Sequence, residues 1–166
     1  MNPILWLELD GVLNVNAPRR EDSILTVVDD EPVWTFTRNV RFVEELATAF
    51  DVVVLTYRDA DSARQILSAS GIEMELPIVT ADREFGWEYL ANVGFERSRI
   101  GSLVYGKLPA LLEANSPGVW IDPQADESTA KFVSGLLAIP TIETVGLTDD
   151  IVNRAMKWAD YVREEL

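Results

Sequence analysis

The sequence predicts an α/β fold: a doubly wound parallel sheet with helices on both faces and a β-hairpin flap after the first strand. Three observations predict it. Short apolar runs, Ile4 to Leu9, Val52 to Leu55 and Val119 to Ile121, alternate with stretches of helical spacing. The runs are uninterrupted, as in strands covered on both faces. Acidic or hydroxyl residues stand directly behind them, where ligands bind in sheets of this kind.

The elements follow in order. Ile4 to Leu9 reads as a buried strand ended by Asp10-Gly11. Ser23 to Val28 and Val33 to Phe36 flank Asp29-Asp30-Glu31-Pro32, a hairpin with a four-residue turn inside a flap of about residues 14 to 37. Val40, Val43, Ala47 and Phe50, with Phe42 and Leu46 beside them, mark an amphipathic helix over 38 to 50. Asp51 to Thr56 is a central strand, and Asp59 or Asp61 caps a helix that Gly71 stops. Pro77-Ile78-Val79 is a short strand. Residues 80 to 104 hold a short helix around Trp87, Tyr89 and Leu90, broken by Gly94 and Gly101. Pro109 starts a helix ending near Ser116-Pro117-Gly118, and Val119-Trp120-Ile121 is a strand entering Asp122. A helix from Asp126 to Ala138, a strand from Thr141 to Val145 and a last helix from Thr148 complete the chain, with Ile151, Ala155, Trp158 and Val162 on one face.

With 166 residues and 48% hydrophobic content, the chain reads as one domain over residues 1 to 166, able to bury a core without staples. It has no Cys and no His. Disulfides, Cys/His zinc sites, thiol nucleophiles and imidazole bases are therefore excluded. Against 14 basic residues stand 28 acidic ones, a formal charge of −14, which disfavours polynucleotide backbones and anionic membranes as partners. The N-terminal apolar run soon reaches Glu8 and Asp10 and has no basic flank, so it is read as neither a signal peptide nor a membrane span; a cytoplasmic location is expected.

Chemistry has to come from carboxylates, hydroxyls, Lys, Arg and a bound ion. Glu8 and Asp10, two apart on an extended segment, point to the same side, and Asp122 joins them from a neighbouring strand end. A like-charge pair at 4 Å costs about 4 kcal/mol at an effective dielectric of 20. The cluster must therefore bind a cation, pair with Lys107 or hold protons. Oxygen-only ligands point to Mg²⁺. Taken singly, Thr56 is also an ordinary strand end, Lys107 a surface lysine and Asp122-Pro123 a turn. Trp6, Trp120 and Trp158 have core spacing, whereas Trp34 and Trp87 are placed to cover a substrate.

Four segments together resemble the haloacid dehalogenase (HAD) superfamily: Glu8-Leu9-Asp10-Gly11-Val12-Leu13, Val54-Leu55-Thr56, Gly106-Lys107 and Trp120-Ile121-Asp122-Pro123-Gln124-Ala125-Asp126. The stretches Gly11-Val12-Leu13-Asn14, Lys107-Leu108-Pro109 and Trp120-Ile121-Asp122 look most like small bacterial and phage members, some linked to RNA-repair proteins, that lack a large cap domain. The resemblance implies phosphoryl transfer to a carboxylate, supported by magnesium. In it Asp10 is the acid/base, Thr56 and Lys107 hold phosphate oxygens, and Asp122 is a metal ligand. Asp126 is a ligand or supports one. The metal set is thus Glu8, Asp10, Asp122 and Asp126. Outside the resemblance, Arg58, two residues past Thr56, is either a phosphate contact or an ordinary solvated arginine.

Glu8 departs from the pattern, since the family's nucleophile is Asp. The extra methylene moves the carboxylate by roughly 1.5 Å, and a misplacement of about 1 Å costs as much as 10²-fold in rate. If turnover survives, Glu8 is the nucleophile or positions a water. Two hypotheses follow: a magnesium-dependent phosphohydrolase acting on a phosphomonoester, attenuated by Glu8, or a disarmed HAD-fold protein that binds a phosphate ligand or, through its acidic surface, a protein partner. A capless site admits small phosphorylated molecules or a nucleic-acid end. The latter needs a basic path, for which Arg19, Arg20, Arg38 and Arg58 are the candidates.

Overall fold

The computed structural model describes residues 2–16, 21–94, 104, 106–114 and 116–165. Five parallel strands form the sheet: β1 (Ile4–Leu7), β4 (Asp51–Thr56), β5 (Ile78–Thr80), β6 (Gly118–Asp122) and β7 (Leu136–Pro140), in the order β5-β4-β1-β6-β7. The chain runs outward from β1 through β4 to β5, then returns to the other side of β1 for β6 and β7. Strand order therefore reverses at β1, which makes the carboxyl ends of β1 and β6 the natural ligand crevice. Register enforces the juxtaposition. Leu7 lies opposite both Val54 and Ile121, and the Glu8 amide donates to the Ile121 carbonyl at 3.0 Å, so Glu8, Thr56 and Asp122 emerge at one edge.

Each face of the sheet has its own core. Leu5, Leu7, Val52 and Val54 pack with α1 (Asn39–Ala47), α2 (Ala60–Ala69) and α6 (Asp149–Glu165), through Phe42, Val43, Leu46, Ala63, Ile66, Leu67, Val152, Ala155 and Ala159. Trp6, Leu55 and Trp120 pack on the other face with α3 (Arg83–Asn92), α4 (Leu108–Glu113) and α5 (Glu127–Ala130), through Leu90, Leu108, Leu111 and Ala130. Alternation along β1 and β6 explains the split, because Trp6, Trp120 and the side chains two residues on share a face. Among the described residues no helix is long and apolar enough to cross a membrane.

The hairpin is present as β2 (Ser23–Val28) and β3 (Glu31–Phe36), but its turn is two residues, not four. Asp29 and Asp30 both take left-handed conformations, φ 52° and 62°, which the tight hairpin turn demands and Asp tolerates better than most residues. Glu31 and Pro32 consequently pair with Val28 and Val27. Val28 and Val33 anchor the hairpin in the core, and Ser62 of α2 bonds the Asp29 carboxylate.

The larger departure comes after β6. The expected helix from Asp126 to Ala138 is one turn, Glu127–Ala130, and the expected strand from Thr141 to Val145 lies instead at Leu136–Pro140. Gly135, at φ 71°, turns the chain so that Leu136 to Pro140 run beside β6. A short apolar run cannot be told from a buried helix segment by periodicity, and here strand pairing decided. On α6 the buried stripe is Val152, Ala155 and Ala159, with Trp158 half-buried and stacked on Phe50 at 6.2 Å. The expected break at Gly101 and the basic candidates Arg19 and Arg20 fall outside the described residues.

Candidate active site

Behind the ends of β1 and β6 the chain buries three charges together. Glu8 is 5% exposed, Lys107 1% and Asp122 fully buried. Lys107, immediately ahead of α4, sends its ammonium between the two acids, donating to Glu8 Oε2 and, at 2.5 Å, to Asp122 Oδ2. Trp120 Nε1 adds a bond to Asp122 Oδ2 at 3.1 Å, and the Gln124 amide donates to Oδ1 at 2.8 Å. The other oxygen of Glu8, Oε1, accepts from the amides of Leu9 at 2.7 Å and Asp10 at 3.4 Å. Of the three ways to relieve a carboxylate cluster, pairing with Lys107 is the one realised.

The electrostatics follow from one cation serving two acids. Burial pushes the Glu8 carboxyl above its usual range, and although Lys107 opposes this, Asp122 adds to it. Burial also works against the Lys107 ammonium, but Glu8 and Asp122 outweigh it and hold its pKa above the ordinary lysine value. The lysine thus keeps its proton while the pair of acids carries the surplus negative charge.

Asp10 stands apart from that triad. Its carboxylate takes a bidentate ion pair from Arg58, Nε to Oδ2 at 2.8 Å and Nη2 to Oδ1 at 3.0 Å, and a bond from Asn14 Nδ2 at 2.6 Å. Arg58 also reaches Glu31 of the hairpin at 3.4 Å. Asp10 bonding raises the Arg58 pKa despite partial burial. Thr56 is fully buried, its hydroxyl accepting from the Arg58 amide at 3.3 Å.

These groups border a cavity of about 240 Å³ lined by Glu8, Asp10, Asn14, Tyr57, Arg83, Asp122, Gln124 and Glu143, among others. Thr56, Lys107 and Arg58 are not on its wall. The first two sit behind Glu8. A larger apolar groove of about 670 Å³ runs along β7 and α6 and holds none of the expected site residues. Trp34 and Trp87 do not line the cavity either; Trp87 packs partly buried on the second core.

A hard cation fits part of the expected set. Among the described residues no three carboxylates are grouped closely enough to hold an ion by themselves. Magnesium, however, keeps several waters and takes one or two carboxylates. Glu8 and Asp122 on the cavity wall would offer these, and Gln124 Oε1, a buried amide oxygen with no hydrogen-bond partner among the described residues, would offer a third oxygen. Gln124 was not among the expected ligands.

Asp126 does not reach the site. It is the N-cap of α5, with Oδ1 accepting from the Thr129 amide at 2.8 Å and from Ser128, and Oδ2 from Thr129 Oγ1 at 2.6 Å. Although some burial opposes it, the Ser128 and Thr129 bonds lower its pKa, so the cap is at full strength above the usual 3.8 and weakens as pH falls through the lowered value. Asp126→Ala is expected to cost about 1 kcal/mol of stability in urea unfolding and to leave magnesium affinity unchanged. A tenfold loss of magnesium affinity in calorimetry would return Asp126 to the metal set.

No family model matches the sequence, and no curated protein does. Among solved structures the chain is similar to one from Vibrio cholerae named for 3-deoxy-D-manno-octulosonate 8-phosphate phosphatase, with 14% identity, 99% of this chain and 87% of that one covered, and a TM-score of 0.47. It is also similar to the phosphatase of the same name from Moraxella catarrhalis, solved with magnesium, phosphate and KDO, at 14% identity, 99% and 94% coverage and TM-score 0.41. A third, from Legionella pneumophila, is named as a HAD superfamily (subfamily III A) hydrolase, with 16% identity, 99% and 91% coverage and TM-score 0.43. Glu8 and Asp10 follow β1, Thr56 ends β4, Lys107 stands ahead of α4 and Asp122 ends β6, so the four segments that resemble the HAD superfamily in sequence lie at strand ends and a helix start of this α/β fold.

Proposed function

We propose that the chain is a phosphomonoester hydrolase whose cavity at the ends of β1 and β6 takes the phosphoryl group. The observation that supports this most is the convergence of Glu8, Lys107 and Asp122 in one buried, ion-paired group next to a more exposed Asp10. Phosphoryl transfer is a matter of positioning and charge stabilisation, and the two kinds of carboxylate suit its two tasks. Lys107 and the Leu9 amide fix the Glu8 carboxylate from both oxygens, so that it faces the cavity in one orientation as the attacking group or the anchor of an attacking water. Asp10 has the freedom of a half-exposed side chain and acts as acid/base, giving a proton to the leaving oxygen and taking one from water. For this Arg58 has to release it, and an entering phosphate dianion competes for the same guanidinium. Magnesium, held by Glu8, Asp122 and Gln124, would neutralise charge on the phosphate oxygens.

A small phosphorylated molecule suits this site better than a nucleic-acid end. Arg38 is tied to Asp22 at 3.1 Å and to the Val145 carbonyl, and Arg58 to Asp10, so the candidate basic path is already engaged where it is described. The alternative reading, a disarmed binding protein, draws on the same buried ion pairing of Glu8 and Asp122 with Lys107. One assay separates them: phosphate release from an aryl phosphate with magnesium by the native protein, Glu8→Asp and Asp10→Asn. Turnover by the native protein that Asp10→Asn abolishes is expected. Turnover confined to Glu8→Asp would identify a disarmed scaffold, and silence from all three would end the hydrolase reading.

A further inference from the structure

Among the described residues four carboxylates, Glu8, Asp10, Asp122 and Glu143, face the candidate cavity, and a single cationic side chain does. That cation is Arg83. Lys107 and Arg58 lie off the wall with their charges already paired, whereas among the described residues Arg83 has no carboxylate within ion-pair distance. It is exposed, and it occupies the first position of α3.

Its placement is built by specific packing. The Arg83 guanidinium lies over the Tyr57 ring, 4.8 Å from the centroid, and the Lys107 ammonium lies 5.1 Å from the same ring. Tyr57 directly follows Thr56, so the end of β4 fixes it, and its hydroxyl accepts from the Gly106 amide at 3.2 Å. Gly106 permits the approach: a Cβ there would come within 2.6 Å of the Tyr57 ring and 2.7 Å of the Asp82 backbone. Asp82 in turn caps α3, accepting from the Glu84 and Phe85 amides at 2.8 and 3.1 Å. The strand end, the Lys107 loop and the start of α3 thus meet at one aromatic ring and hold at the cavity a guanidinium that bonds Tyr57 but no carboxylate.

We infer that Arg83, seated on Tyr57, is a specificity residue that binds a second anionic group, a carboxylate, on the leaving portion of the substrate. The inference rests on the phosphomonoesterase reading and names its substrate class: small phosphomonoesters of hydroxy acids. Physical reasons favour that class. A guanidinium that bonds the Tyr57 side chain and has no carboxylate partner keeps further N–H donors of its fork for a planar anion. Arg83 makes no ion pair with Glu8, Asp10 or Asp122, the groups that would surround the phosphoryl group, so it is available to the other end of the molecule. A cavity of about 240 Å³ lies below the size range of sites for drug-sized ligands, which suits a leaving group of a few carbons. In a wall this acidic, a substrate with a second negative charge is admitted only if a cation meets it.

The test compares matched esters in magnesium buffer by phosphate release: phosphoglycolate against ethyl phosphate, and 3-phosphoglycerate against glycerol 3-phosphate. The native protein is expected to prefer the carboxylated member of at least one pair by tenfold or more in kcat/KM. Arg83→Gln is expected to bring that ratio to about one, with the loss carried by KM, and Arg83→Lys to keep part of it. Urea midpoints equal to that of the native protein show that the fold is intact, as the exposure of Arg83 predicts. Absence of any preference in the native protein, or a preference that survives Arg83→Gln, overturns the inference. So does an equal loss on both members of a pair, which would place Arg83 on the transferring phosphate. If none of the four esters nor an aryl phosphate is hydrolysed, the phosphomonoesterase reading itself fails, an outcome distinct from the others.

Discussion

Lys107→Met is expected to destabilise the protein by about 3–5 kcal/mol, the cost of leaving buried carboxylates without their cation. Lys107 is 1% exposed and is the sole side-chain cation bonded to either Glu8 or Asp122 among the described residues. Solvent cannot replace it there. Combining Lys107→Met with Glu8→Gln and Asp122→Asn removes the surplus charge, and most of the lost stability is expected to return. Urea unfolding of the native, single and triple variants measures both steps. A single variant within about 1 kcal/mol of the native protein would mean that the two acids do not depend on the ammonium.

Asp10→Asn is expected to behave in the opposite way, lowering turnover by about 10²- to 10⁴-fold while changing stability by less than about 1 kcal/mol. Its side chain is 46% exposed, so the Arg58 pair is worth little to the fold. The isosteric amide keeps the bond from Asn14 possible through its oxygen but cannot exchange a proton. Phosphate release and urea midpoints on the same preparation separate the two effects. A variant that loses both in proportion would make Asp10 a structural residue.

What could be read from the sequence was what hydrophobic runs and their flanking polar residues encode. The uninterrupted run of β4 and the Val119-Trp120-Ile121 core of β6 placed Thr56 and Asp122 at strand ends, and parallel register brought them to Glu8. The stretch after Asp122 misled in two ways. Asp126 is a metal ligand or its support by resemblance but caps a one-turn helix, and Leu136 to Ala138 look helical until Gly135 is recognised as the turn into an edge strand. Arg58 could be read beside Thr56 as either a phosphate contact or a solvated side chain, whereas its pairing with Asp10 depends on how the end of β4 and the loop after β1 meet in space. Tyr57, Arg83 and Gln124 were missed for the same reason. A signal for Gln124 existed, since it lies two residues past Asp122; Arg83 becomes visible only once Gly106 brings α3 against Tyr57.

The acidity that stood out in the composition is partly explained. Glu8, Asp10, Asp122 and Glu143 belong to the cavity, and Asp59, Asp82 and Asp126 cap helices.

The central claim, that the cavity hydrolyses phosphomonoesters with help from a hard cation, is tested most directly by inorganic phosphate release from an aryl phosphate by the native protein, with magnesium and then with excess chelator. The account predicts steady release that stops on chelation and resumes when magnesium is restored. Release indifferent to chelation, or none with magnesium present, would contradict it.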